Sequence, residues 1–333
     1  MKKKREHILS RFWRMQESGV LVIVVVYVII VTCINSAFIS SGNIINVLRS
    51  AGYTLIPALG MTLVFICGGL DISIGSTLAI GSTISALFAQ GGMPAGLAML
   101  MGCFFGLLVG LFNGFAIVQL GIPSLIVTLG TQYAGRGVVY ILTKGVAIYP
   151  LPDSFQALEQ TAVFSIPMIV IVAAALSIAA HIVMSKTTYG RSLYAVGGNQ
   201  ESAKLAGIRI KGTSIAAYAV TGALAAFTGV MMAARLGSGQ AGSGEGLEMT
   251  VIAACVIGGT SVTGGSGTIL GTVLGALFMS ILENSMTLMK VSVYWQKVVI
   301  GLLLIGACIL DIYKKKLSMR ADLNSMEKQG ETK

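Results

Sequence analysis

The feature that most constrains this chain is a succession of apolar runs about as long as a bilayer is thick. A helix needs about 20 predominantly apolar residues to cross the hydrocarbon core. Runs of that order fall near 19–39, 53–69, 72–90, 95–119, 124–142, 163–184, 213–235, 248–262, 267–288 and 294–313. Only 11% of the 333 residues are charged, against roughly 25% in soluble domains, so no soluble core could absorb this much apolar surface. The expected fold class is an all-α polytopic membrane protein of about ten transmembrane helices. It forms a single transmembrane domain over residues 1–333, with no soluble domain at either end.

The net charge of +10 raises nucleic acid as a partner, but the placement of the charge argues against it. Lys2 to Arg14, Lys186 to Lys211 and Lys314 to Lys333 hold 17 of the 23 lysines and arginines. Each cluster adjoins an apolar run, the pattern that marks cytoplasmic segments. A basic N-terminus (1–18), a loop (185–212) and a tail (314–333) are therefore expected in the cytoplasm. Six crossings before the loop and four after it satisfy all three. The outward segments 143–162 and 236–247, with the start of the next span, carry Asp153, Glu159, Glu245 and Glu248. The first apolar run continues to Phe38 without a small-residue cleavage site, so it reads as an uncleaved span. Cys33, Cys67, Cys103, Cys255 and Cys308 lie in or beside apolar runs at no metal or disulfide-framework spacing. They read as small apolar residues.

Spans 53–69 and 248–262 are short, and both contain a Gly-Gly pair near the end. Gly68, Gly69, Gly75 and Gly81 recur as Gly258, Gly259, Gly265 and Gly271, a constant offset of 190. Asp71 and Ser73 in the first copy correspond to Ser261 and Thr263 in the second. A fainter echo matches Asn113 to Gly130 with Asn284 to Gly301. The pattern predicts an internal repeat with glycine-broken short helices. Glycine disfavours a helix interior by up to ~1 kcal/mol relative to alanine. Broken backbone at membrane depth is tolerated where it is buried in protein or lines a wet cavity. Short, glycine-interrupted segments in corresponding places point to a substrate path; tight helix packing is the plainer alternative. The candidate path residues are Gly68, Gly69, Asp71, Ser73, Gly75, Asn113, Gly258, Gly259, Ser261 and Thr263.

Asp71, Arg136, Glu283 and His181 fall in or beside spans, where an ionisable group is usually kept for a partner or a path. Asp71 either caps the next helix or contacts substrate. Arg136 is expected to pair with a carboxylate or with free carbonyls, and His181 to be structural. Two histidines and scattered acids make no metal cluster.

In the 185–212 loop, Asn199 is a good N-cap, residues 200–206 favour helix, and Gly207 suits its end. An exposed helix between spans is a natural handle for a cytoplasmic partner. Glu201-Ser202-Ala203 followed by Gly207 resembles the E-A-A-x-x-x-G signature of ABC importer permeases, with Ser202 for the middle alanine. Tyr189-Gly190-Arg191, Ala195 to Asn199, and Gly207-Ile208 resemble the loop of ribose-type permeases. Gly68 to Gly75, Ile126 to Gly130 and Glu248 to Gly267 match the same family, so the resemblance covers roughly residues 20–313.

The resemblance implies the permease subunit of a sugar importer in a bacterial inner membrane. Its termini would be cytoplasmic, and it would pair with a second permease copy or homologue. Cytoplasmic ATP-binding subunits would dock on Tyr189, Gly190, Arg191, Gly198, Asn199, Glu201, Ala203 and Gly207. An external sugar-binding protein would touch Glu245 and Glu248. The sequence contains no G-x-x-x-x-G-K-[ST] loop, so no cofactor is expected on this chain and ATP would be hydrolysed by another subunit. The cargo is expected to be ribose-like, with autoinducer-2, another monosaccharide or a nucleoside still open. An ion-driven sugar carrier would need facing buried carboxylates, and a membrane enzyme would need convergent acid, base or metal groups.

Overall fold

A computed structural model describes residues 18–163 and 166–330; the basic cluster Lys2 to Arg14 lies outside them. Thirteen α-helices account for most of these residues. They are α1 (Ser18–Ile34), α2 (Ser41–Ile66), α3 (Ile74–Gln90), α4 (Ala95–Leu120), α5 (Ser124–Thr143), α6 (Asp153–Gln160), α7 (Met168–Lys186), α8 (Thr188–Gly198), α9 (Gln200–Leu205), α10 (Ile210–Leu236), α11 (Leu247–Ile257), α12 (Ile269–Leu288) and α13 (Val293–Gly330). Two-residue strands β1 (Ala162–Val163) and β2 (Ile166–Pro167) pair antiparallel before α7. Seven helices, α2, α4, α5, α7, α10, α12 and α13, are long and apolar enough to cross a membrane. Helices α1, α3 and α11 are shorter and apolar.

Helices α2, α12 and α10 are the most buried of the long helices, and α13 has no buried residue in its most apolar stretch. Small residues explain how the central helices approach so closely. Gly102, Gly106, Gly110 and Gly114 form one stripe of α4 at a spacing of four. That stripe meets Val230, Ala226, Gly222, Tyr218 and Ile215 of α10. A Cβ at Gly114 would lie 2.9 Å from Ile215 Cα, and one at Gly106 would strike the Ala226 methyl. On the neighbouring face, Gly229 of α10 meets the Leu78 carbonyl of α3, and Gly81 of α3 meets the backbone of Ala226. Without a hydrophobic drive between helices in lipid, such backbone proximity supplies the packing.

Three boundaries differ from the sequence reading. The span expected at 53–69 is the end of a 26-residue helix that begins at Ser41. The polar stretch Ser41 to Gly52 hid its first half. Arg49 in that stretch lies 3.5 Å from the carboxylate of buried Glu159 of α6, and Asn43 exchanges hydrogen bonds of 2.9 Å with Asn284. The tail expected over 314–333 does not begin with a break, because α13 continues to Gly330. The segment 236–247, expected as an outward loop, instead runs along α3. Gly239 lies against Ala86 of α3 and Gly244 against Gly75 and Leu78. It therefore descends along α3 by eleven residues, roughly 16 Å. Helix α11 starts at that depth and is only 11 residues long.

The turns after α2 and α11 share their geometry. Gly69 N–H donates to Val64 O and Gly68 N–H to Phe65 O; Thr260 N–H donates to Cys255 O and Gly259 N–H to Val256 O. These are the paired bonds of a left-handed C-terminal cap, with Gly68 at φ +83° and Gly259 at φ +87°. Helix ends thus match at an offset of 191, while the turns that follow match at 190. There Ser73 N–H donates to Asp71 Oδ1 and Thr263 N–H to Ser261 Oγ. The fainter echo does not reach the contacts, since Asn284 pairs with Asn43 and Asn113 does not have such a partner.

Candidate functional site

The first glycine break opens a chain of buried polar side chains. Asp71 Oδ1 accepts from Ser73 N–H at 2.9 Å and from Ser73 Oγ at 2.6 Å. Asn113 Nδ2 of α4 donates to Ser73 Oγ at 2.8 Å, and its Oδ1 accepts from Thr131 Oγ1 of α5 at 2.6 Å. Gln132 Oε1 accepts from Ser76 N–H at 2.8 Å. Asp71 is 1% exposed and Asn113 0%, so each bond stands in place of one to water that burial has removed. Ser73 stands at the N-cap position of α3 but makes no side-chain cap bond; it is Asp71 that accepts the backbone N–H there, the capping role expected of it. Predicted residues Asp71, Ser73 and Asn113 are therefore brought together. Thr131, Gln132 and Ser76 were missed, although the Thr-Gln pair is conspicuous in an apolar run.

The second group is placed differently. Ser261 Oγ lies 3.2 Å from Thr263 Oγ1 and donates to Asp311 Oδ2 of α13 at 3.3 Å. Gly258 packs against Gly271 of α12. The two breaks touch through their glycines: a Cβ at Gly264 would lie 3.0 Å from Gly68 Cα and 2.9 Å from the Gly197 carbonyl. Gly265 N–H donates to Ile66 O at 2.9 Å.

Helix α8 sits at that junction. A Cβ on Gly197 would overlap the Ile66 carbonyl and come within 2.7 Å of Gly265 N. Tyr194 Oη donates to Gly267 O at 2.7 Å, and Tyr189 Oη to Thr213 O at 3.3 Å. Burial pushes the Tyr189 phenol up, so it stays a neutral donor. Gly190 lies against the backbone of Met184. The short helix forms as the sequence predicts. Asn199 Oδ1 accepts from Ser202 N–H at 2.9 Å, and Gly207 ends the helix at φ +77°. Ala203 is buried, whereas Arg191, Glu201 and above all Leu205, at 90%, are exposed. Sequence reasoning passed over Leu205 because a lone leucine in a loop carries no pattern.

A cavity of about 750 Å³ lies between the first break and this loop. It is lined by Cys67, Gly68, Gly69, Ser124, Lys204 and Tyr218, among others. Tyr218 Oη donates to Leu70 O at 3.4 Å, which puts the phenol between the cavity and the Asp71 network. On the far side of the network, Arg136 Nη1 donates to the carbonyls of Ala241 at 2.6 Å and Ser243 at 2.8 Å. The arginine thus took carbonyls, one of the two partner types expected. Glu245 is exposed, while Glu248 is half-buried against Gly75. Among the described residues no group of three or more His, Cys, Asp or Glu could hold a metal.

A family model described as branched-chain amino acid transport system / permease component matches residues 43–308. The ribose import permease protein RbsC of Bacillus subtilis is 35% identical over 299 residues, 89% of this chain and 93% of the relative. The autoinducer 2 import system permease protein LsrC of Photorhabdus laumondii is 33% identical over 282 residues, 85% of each chain. A probable ABC transporter permease protein, YphD of Escherichia coli, is 35% identical over 308 residues, 92% of each. No solved structure matches. With its glycine-broken helices, its capped loop helix and these matches across nearly its whole length, the chain belongs to the branched-chain amino acid transport system / permease component family.

Proposed function

We propose that this chain is the membrane-spanning subunit of an ATP-driven ABC importer that carries a monosaccharide of the ribose or autoinducer-2 kind. The observation that carries the reading is the contact of one loop with both glycine breaks. Helix α9 offers Leu205 outward, and α8, directly before it, presses Gly197 onto Ile66 and Gly265. A partner that grips α9 thereby acts on the turns beside the Asp71 network. The names of the relatives, import permeases for ribose and for autoinducer 2, favour this over an ion-driven carrier.

In this reading the seven long helices, α1, α3, and α11 together with the stretch that descends to it make ten crossings of a bacterial inner membrane, with both termini cytoplasmic. The two turns are copies of an internal repeat. A separate cytoplasmic subunit hydrolyses ATP, a second permease copy or homologue completes the path, and an external sugar-binding protein delivers cargo. The cavity of about 750 Å³ is within the range of small-molecule sites and serves as the inward compartment. The Asp71–Ser73–Asn113–Thr131 chain closes it from the outer side. Glu245 is the retained candidate for contact with the binding protein.

The test is to purify the tagged chain from its native membrane in mild detergent. Wild type is expected to bring down an ATP-binding subunit whose hydrolysis rises with the sugar-binding protein. Leu205→Glu should insert normally yet lose that subunit. Retention of the subunit by Leu205→Glu would remove α9 as the docking handle.

A further inference from the structure

The cavity of about 750 Å³ carries charge of one sign only. Lys204 of α9, with Arg209 and Lys211 at the start of α10, lines it, and among the described residues no carboxylate does. None of the three belongs to an ion pair among the described residues. Lys211 Nζ donates to Gln119 Oε1, at the end of α4, at 2.8 Å, which fixes it beside the gap between the two helices. Helix α10 follows Arg209 without a side-chain cap. Its first amides therefore add the partial positive charge of a helix N-terminus to the same wall. Away from these exposed cations the lining changes character. Buried Ser214 and Tyr218 bring hydroxyls, and Ile117 and Val118 bring apolar surface.

Membrane topology asks only that the loop be basic. Lys186 and Arg191 meet that demand without lining the cavity. Cations gathered round one gap repel one another, and a cleft of one sign concentrates the opposite ion. We propose that this cavity is a site for a phosphoryl group, held by Lys204, Arg209, Lys211 and the first amides of α10. A phosphate monoester carries about −1.5 to −2 charge at pH 7 and takes charge-assisted bonds from arginine and lysine. The volume leaves room for a small body behind the phosphoryl group, against the hydroxyls of Ser214 and Tyr218 or along Ile117 and Val118. Two sources share this chemistry: a soluble sugar phosphate, the product of a kinase acting on imported cargo, and the headgroup of an anionic phospholipid. The inference rests on the importer reading above and deepens it, because the cavity is the inward compartment of that reading. A bound ester ties α9 to the start of α10 and keeps the compartment occupied, so a sugar phosphate there acts as a brake on uptake.

The full chain, purified in neutral detergent, is titrated with D-ribose 5-phosphate and with D-ribose at fixed ionic strength, and binding is read by calorimetry. The ester is expected to bind and the free sugar to bind far more weakly. Lys204→Gln and Arg209→Gln should each weaken the ester about tenfold or more, as loss of one charge-assisted bond implies, while Lys204→Arg keeps most of the affinity. Lys186→Gln removes the same charge from the loop away from the cavity and should leave binding unchanged; equal weakening by it would show a diffuse positive field and overturn the site. Native mass spectrometry after exposure to phosphatidylglycerol separates the two sources. Lipid retained by wild type and lost from the Lys204 and Arg209 variants, without ester binding, would assign the phosphoryl group to a headgroup. Neither ester bound nor lipid retained would overturn the site altogether. In proteoliposomes of the complete importer, the ester on the side of the ATP-binding subunit should slow sugar uptake several-fold and spare Lys204→Gln; uptake indifferent to a bound ester would overturn the brake. Failure of the assembly to import any sugar would overturn the importer reading and leave the binding result standing.

Discussion

Asn113 shows how much one buried amide can hold. It joins α3 to α5 by donating to Ser73 and accepting from Thr131, and no water reaches it. Asn113→Leu keeps the volume but removes both of its bonds. Ser73 Oγ keeps Asp71 and Thr131 Oγ1 keeps the Val127 carbonyl, so the loss is that of two hydrogen bonds, roughly 1–3 kcal/mol together. Thermal unfolding in detergent should show a melting temperature several degrees lower. Transport, if measured alongside, should leak or stall because the two compartments are no longer separated. An unshifted melting temperature would mean that the network is not a fixed part of the fold. The glycine at 207 belongs to the same scale. Its φ of +77° is a region where a Cβ adds about 1 kcal/mol or more of strain. Gly207→Ala should fray α9 while leaving the membrane helices intact, a loss visible as weaker retention of the ATP-binding subunit.

Among the elements, the α4–α10 pair depends on absent side chains. Gly106→Ala sets a methyl against the Ala226 methyl and the Gly222 carbonyl, and overpacking of that kind costs about 1–3 kcal/mol. Gly137→Ala on α5 meets nothing within 4 Å and should be silent, so the two melting temperatures together separate packing from composition. The sequence made the apolar helices, the short α11 and the capped α9 legible, because each rests on local rules of length, capping and glycine content. It did not make the stripe on α4 legible as a contact, since spacing of four names a face and not its partner. The descent of 236–247 was hidden for a different reason. A Gly/Ser-rich stretch between spans reads as surface loop, and only its fit along α3 gives it depth. Half of α2 was concealed by polar residues whose partners, Glu159 and Asn284, lie far away in the chain.

For the molecule as a whole, the two ends of the bundle are held by different means. At the end that carries α6, Arg49 of α2 faces Glu159 at 3.5 Å. Arg235 of α10 lies 5.6 Å above the ring of Tyr53, which adjoins the pair. Glu159→Ala would strip the cluster of its carboxylate. Because Arg49 is 27% exposed, the loss should be about 2 kcal/mol, below the 3–5 kcal/mol seen for fully buried pairs. A urea or thermal series on purified protein would measure it, and no change would mark the pair as incidental. At the end that carries α8, no ion pair is found among the described residues. Gly197 rests on Ile66 and Gly265 without any side chain between. Flexible side chains can give way by fractions of an ångström; bare backbone pressed on backbone has no such slack. The junction between handle and path works like gearing cut without backlash, so even a small displacement of the handle arrives at the other side undiminished.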